Sequence, residues 1–254
     1  MDVATHIEAL RREGGFLASA VAVADPDDPV PTCPEWTVRD LVHHTGGVQR
    51  WATGYVADAR RTYWDVDLID VVGSWPDDGE LVAWFGDGCA RLIDALEAAP
   101  QDLDCWTFLP APSPLAMWAR RQAHETSIHR VDAELATRAP SDVTAFDPAF
   151  AVDGVDELLS CFLPRPRSRL RADTPTRLGV SCADTGDTWL LTIGAEGVTT
   201  SAVAPLDDAA CVVRAAAADL YMALWSRRTP DVLRAEGDGR VLELFLETVH
   251  VRWS

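Results

Sequence analysis

Apolar residues recur at helical spacing through the first half of the chain, then give way to strict alternation. Over residues 2–24, Ile7, Leu10, Phe16, Val21 and Val23 mark a first helix with a weak point at Gly14-Gly15. The proline- and aspartate-rich stretch 25–31 breaks it. A second helix begins after Thr37, an N-cap residue with Asp40 three positions on, and carries the stripe Leu41, Val48, Trp51 and Tyr55. His44 falls inside that stripe, whereas His43 is rotated about 100° away and points elsewhere. Pro76 and the acidic pair Asp77-Asp78 open a third helix running to about Ala99, with Leu81, Trp84, Phe85, Leu92, Ile93 and Leu96 as its apolar set. Ser113 and Pro114 supply an N-cap and an N1 proline for a fourth helix that continues to about Thr137. Four such helices predict an antiparallel four-helix bundle over residues 1–140.

Beyond it, residues 147–162 form one more predicted helix. Residues 176–204 alternate like strands, with turn signals at Asp184 to Asp187 and at Ala195 to Gly197. A strand at Val212-Val213, a helix from about Ala215 to Arg227, a short strand Val232–Ala235 and a helix Arg240–Thr248 complete the pattern. Residues 141–254 are thus expected to be a small α+β domain with a largely antiparallel sheet, and the chain an α+β two-domain protein.

Charge narrows the partners. Forty acids oppose twenty-two bases, every base is arginine, and the net charge is −18. Most of such a surface repels nucleic acid and anionic membranes, so neither is expected as a partner. An anionic substrate would have to be drawn in by a local arginine cluster. No apolar run reaches the ~18 residues of a membrane span, and the acidic, amphipathic N-terminus is unlike a signal peptide. The six cysteines (33, 89, 105, 161, 182 and 211) are scattered, a spacing that suits reduced, buried thiols. The expectation is a cytoplasmic protein, monomer or homodimer.

The fourth helix holds the candidate chemistry. Glu125 and His129 are four residues apart, one turn apart on one face, and His44 comes from the core-facing stripe of the second helix. Two imidazoles and a carboxylate from facing helices, with a position left open, suit a catalytic divalent metal, whereas closed structural sites favour four Cys and His ligands. Against this stands the ordinary alternative of a core histidine beside a helix-surface Glu–His pair. His124 and His129 are five apart and cannot share a face as the zinc-protease motif requires, which leaves His124 a neighbour. Cys33 lies too far before the second helix to be an obvious fourth ligand. Asp132 either orients the His129 imidazole or pairs with Arg130 or Arg121, the second being slightly favoured.

The run Cys33-Pro34-x-Trp36-x-Val38-x-Asp40-Leu41-x-x-His44, with His124-Glu125-x-x-x-His129-Arg130-x-Asp132-Ala133-Glu134, resembles the mycothiol-dependent maleylpyruvate isomerase family. Residues 217–228 and Glu236-Gly237-Asp238 continue the resemblance into the C-terminal half. It implies a DinB-like metal-binding bundle in which His44, Glu125 and His129 ligate zinc or another divalent metal. It also implies mycothiol as cofactor or cosubstrate, acting on a small electrophile, a carboxylate among the candidates, by cis–trans isomerisation or S-transfer. An arginine of the C-terminal domain is implicated in activity, and Arg227 and Arg228 are the matching candidates; capping the end of their helix is the alternative. A non-catalytic metal- or small-molecule-binding module of the same fold is the competing function.

Overall fold

The computed structural model describes residues 1–251. The chain divides into two units, the first comprising residues 1–144 and the second beginning at Ala145.

In the first unit, α1 (Val3–Val21), α2 (Val38–Ala57), α4 (Leu81–Ala98) and α5 (Pro114–Thr137) are long, and α3 (Leu68–Val72) is a single short turn between them. α1 packs on α5 and α4, and α2 packs on the same two helices, which closes a four-helix bundle. The helix starts follow local chemistry. Thr37 and Asp40 form a reciprocal capping box, and Ser113 accepts from the Ala116 N–H with Pro114 in the first turn. α1 runs unbroken through Gly14-Gly15, where the Gly14 Cα sits so close to Cys89 that a Cβ would lie 2.7 Å from its sulfur. Phe16 and Val23 face outwards instead of marking the core.

The buried face of α2 also differs from its apolar stripe. Thr45 and Gln49 are buried while Val48 and Trp51 are only partly so. Thr45 donates to the Leu41 carbonyl and Gln49 to Thr126 of α5. Those bonds engage the Thr45 hydroxyl and the Gln49 amide nitrogen, so helix packing overrides hydrophobic periodicity here. The face turns by a fraction of a turn, and His44 lies at its edge.

α5 is buried along nearly its whole length although it carries Arg121, Gln122, His124, Glu125, His129, Arg130, Asp132 and Glu134. Burying charges requires partners. Arg130 donates to Glu13 of α1 at 2.9 Å and to Glu134 at 2.8 Å, and Glu134 also accepts from the Thr144 hydroxyl at 2.6 Å.

The second unit starts with α6 (Pro148–Asp156), which passes into a wider π-type turn at Glu157–Phe162. Strands β1 (Thr176–Cys182), β2 (Thr188–Gly194), β3 (Gly197–Ala202), β4 (Cys211–Ala215) and β5 (Arg234–Gly237) form one sheet in the order β3-β2-β1-β4-β5. All neighbours are antiparallel except β1 and β4. The crossover between those two passes through the β2–β3 hairpin. On β2, Trp189, Leu191 and Ile193 alternate inward in the period-two pattern of a half-covered sheet. α7 (Ala217–Leu224) packs on α6, and α8 (Gly239–Thr248) packs on β1 and β4. Gly154 of α6 lets the Tyr221 ring within 2.3 Å of where a Cβ would stand, and its carbonyl accepts from the Trp225 indole.

Among the described residues, no helix is long and apolar enough to cross a membrane.

Candidate metal centre

One turn of α5 and the middle of α2 aim three side chains at one point. His44 Nε2 and His129 Nε2 each lie 3.3 Å from Glu125 Oε1. One donor atom from each of the three residues falls within 4.8 Å of the others. Donors bonded to one zinc-like ion at ~2.0–2.2 Å stand a little over 3 Å apart, so the donor set and spacing fit a divalent cation. Glu125 divides its oxygens: Oε1 faces the imidazoles, and Oε2 accepts from the buried Arg121 at 3.0 Å.

The electrostatics follow from these contacts. Burial alone would raise the Glu125 carboxyl, but its bonds to His129 and His44 and the nearby Arg121 charge hold it well below the ordinary carboxylate range. Burial lowers the His44 pKa by more than the Glu125 bond raises it, which favours the neutral imidazole. For His129, burial again disfavours the cation, yet bonds to Asp132 and Glu125 outweigh it and raise the pKa.

Of its two readings, Asp132 shows the contact with His129. Its Oδ2 lies 2.9 Å from His129 Nδ1, which directs Nε2 toward Glu125. Asp132 Oδ1 accepts from Thr32 at 2.5 Å, and Cys33 Sγ approaches Oδ2 at 3.8 Å. The helix-length argument placed Cys33 far from the cluster. The loop brings it back, because Val30 N–H donates to the Trp36 carbonyl and Val38 N–H to that of Asp28. Cys33 therefore supports the residue that supports His129.

His43 also corrects its expected placement. It lines the same pocket as His44, a cavity of 390 Å³ bounded further by Glu35, Trp36, Asp40, Leu68 and Trp75. Its ring stacks on Trp75 at 4.5 Å, and Trp36 lies 4.8 Å from His44 and 5.9 Å from His129. Periodicity carries no information about Trp36 or Trp75, which sit on loops. His124 is buried beside His6, with ring centroids 6.1 Å apart, and takes no part in the three-residue group.

Arg227 and Arg228 belong to the second unit and are both engaged there. Arg227 is buried and donates to the backbone carbonyls of Trp225 and Val251, and Arg228 pairs with Asp219 of α7. A substrate carboxylate at either guanidinium would compete with those partners.

Fold and cluster together define a class: a two-unit α+β protein whose helical bundle presents a His–Glu–His donor set beside an open pocket. Residues 7–134 match the family model of the mycothiol maleylpyruvate isomerase N-terminal domain, and residues 149–244 match that of the MDMPI C-terminal domain. The chain belongs to the mycothiol maleylpyruvate isomerase family. A crystal structure of the mycothiol-dependent maleylpyruvate isomerase is similar over 93% of each chain, with a TM-score of 0.61 and 15% identity. A histidine-to-alanine variant of that isomerase gives the same score and coverage at 13% identity. At these identities the likeness concerns the fold. Among curated proteins, none matches the chain in sequence.

Proposed function

We propose that the chain is a thiol-dependent enzyme acting on a small unsaturated electrophile, with His44, Glu125 and His129 holding a divalent metal, zinc, and mycothiol as the thiol. Family membership supports the thiol and the isomerase-like reaction. The observation that carries the metal is the convergence of His44 Nε2 and His129 Nε2 on Glu125 Oε1. When bound, metal and thiol together supply a nucleophilic sulfur that adds reversibly to an electrophilic double bond, giving cis–trans isomerisation when the sulfur leaves again and S-transfer when it stays.

The chain's own groups prepare that site. Asp132 orients the His129 ring, burial lowers the His44 pKa, and the bonds to His129 and His44, helped by Arg121, hold Glu125 toward its ionised form. Trp36 covers one side of both imidazoles with an apolar face, which lowers the local dielectric and excludes water there. The pocket beside His44 leaves the other side open for thiol and substrate. All six cysteines are free and buried, which fits a protein working in a reducing compartment such as the cytoplasm.

The test is elemental analysis of protein purified without added metal, joined to isomer-resolved chromatography of maleylpyruvate with and without mycothiol. About one metal ion per chain, lost in His44→Ala, and turnover that needs both thiol and metal are expected. A folded protein that takes up no metal would return the three residues to core packing and favour the binding module.

A further inference from the structure

We propose that Arg121 is a positioning residue that limits Glu125 to a single ligating oxygen, so that the metal keeps a position for the thiol. This rests on the reading that His44, Glu125 and His129 hold a divalent cation.

The two oxygens of Glu125 have different neighbours. Oε1 lies 3.3 Å from both His44 Nε2 and His129 Nε2, whereas Oε2 accepts from Arg121 Nη2 at 3.0 Å. Arg121 and Glu125 stand one turn apart on α5, so helix geometry sets this contact. Only 4% of the arginine side chain and 8% of the glutamate side chain are exposed. A surface pair of this kind would exchange with water, but here each group depends on the other, because an unpaired buried charge is costly. The guanidinium carries donors only and stays protonated, so its hold on Oε2 persists across the neutral range.

That division decides how many places around a cation the chain fills. Two imidazole nitrogens and one carboxylate oxygen make three donors, and catalytic zinc sites keep three protein ligands with the fourth position left to water or substrate. A carboxylate turning both oxygens inward would fill that fourth place. Charge works in the same direction. Asp132 bonds His129, so within the set of His44, Glu125, His129, Asp132 and Arg121 two carboxylates face one guanidinium. With a divalent ion bound, that set carries one net positive charge, which a thiolate neutralises and a neutral thiol does not. Without Arg121 the same set would already be neutral.

In crystals of the zinc-loaded parent, Glu125 should meet the metal through Oε1 alone, with Arg121 still on Oε2. Cobalt(II) in place of zinc reports the coordination number in solution, because its visible absorption weakens as ligands are added. Arg121→Met keeps an unbranched stem and removes the donor. It should lose visible intensity severalfold and bind N-acetylcysteine, followed by the thiolate-to-cobalt band, about tenfold more weakly or worse. Arg121→Lys restores a charged donor and should return both readouts toward the parent, with helical circular dichroism alike in all three proteins. A methionine variant with the parent's spectrum and thiol affinity, or a lysine variant no different from the methionine one, would show that Arg121 serves packing alone. A parent that takes up neither zinc nor cobalt overturns this inference together with the metal site. A parent whose Glu125 binds the metal through both oxygens overturns this inference and leaves the metal site standing.

Discussion

Asp132 and His129, three residues apart on α5, meet through Oδ2 and Nδ1 at 2.9 Å, on the side of the ring away from Glu125. The carboxylate thereby makes Nε2 the nitrogen that faces the cluster, and Thr32 and Cys33 hold the carboxylate in turn. Removing such an outer partner costs about 10–100-fold in metal affinity. Asp132→Ala should therefore bind zinc more weakly by that factor in a competitive chelator titration while its helical circular dichroism is unchanged. Undiminished affinity would mean that Asp132 serves packing alone.

Glu125 differs from His44 in what its loss does to the fold. Its second oxygen bonds the buried Arg121, so Glu125→Ala strips a buried guanidinium of its carboxylate as well as removing a donor. Breaking a buried pair by deleting one partner costs about 3–5 kcal/mol. His44 sits at the edge of the buried face, and its truncation should cost about 1 kcal/mol, an ordinary value for a side chain outside the core. Urea unfolding in chelator should show that ranking. Equal losses would mean that the Arg121 contact carries no stability, and His44→Ala is the cleaner variant for metal assays.

The parts of this structure legible in the sequence are those with local causes. The capping box at Thr37 and Asp40, the serine–proline start of α5 and the two hairpin turns of the sheet are set by residues three or four apart. The one-turn spacing of Glu125 and His129 places them on one face whatever the tertiary fold, and the motif resemblance joined His44 to them. What was not legible depends on distant groups. The return of Thr32 and Cys33 to Asp132 rests on a loop closed by backbone bonds between Val30 and Trp36, which has no periodic signature. The rotation of α2 that puts His43 into the pocket follows from burying Thr45, which bonds back to the Leu41 carbonyl, and Gln49, whose partner on α5 only packing supplies. The turn α3, which contributes Leu68 to the pocket, is too short for periodicity to reveal.

A second buried network predicts an acid limb of stability. Burial would raise the Glu134 carboxyl, but the Thr144 hydroxyl, Arg130 and the Thr144 N–H together hold it below its ordinary value. Its folded pKa thus lies below its unfolded value of about 4.3. The stabilisation is complete above that unfolded value and is lost as pH falls through the folded one. Glu134→Gln should be less stable than the parent by about 3 kcal/mol at pH 7, with the gap closing steadily below about pH 4. A gap that is constant from pH 7 to pH 3 would show that the charge of Glu134 does not matter.

Gly46 links the bundle's packing to the pocket. It is buried in α2, and a Cβ there would stand 2.2 Å from the Trp84 ring, far inside van der Waals contact. Trp84 lies edge-on to Trp75 at 6.0 Å and to His43 at 6.4 Å, so it braces the stacked His43 and Trp75 rings that line the pocket. Alanine in place of this glycine gains helix propensity of about 1 kcal/mol. Overpacking opposes that gain, by about 1–3 kcal/mol, because an indole seated between helices has little room to retreat. Gly46→Ala should be destabilised, by up to about 2 kcal/mol net, in urea unfolding. Its tryptophan fluorescence should shift, while zinc affinity at the proposed His44–Glu125–His129 site stays within about twofold of the parent. A variant as stable as the parent, with unchanged tryptophan fluorescence, would show that Trp84 yields freely.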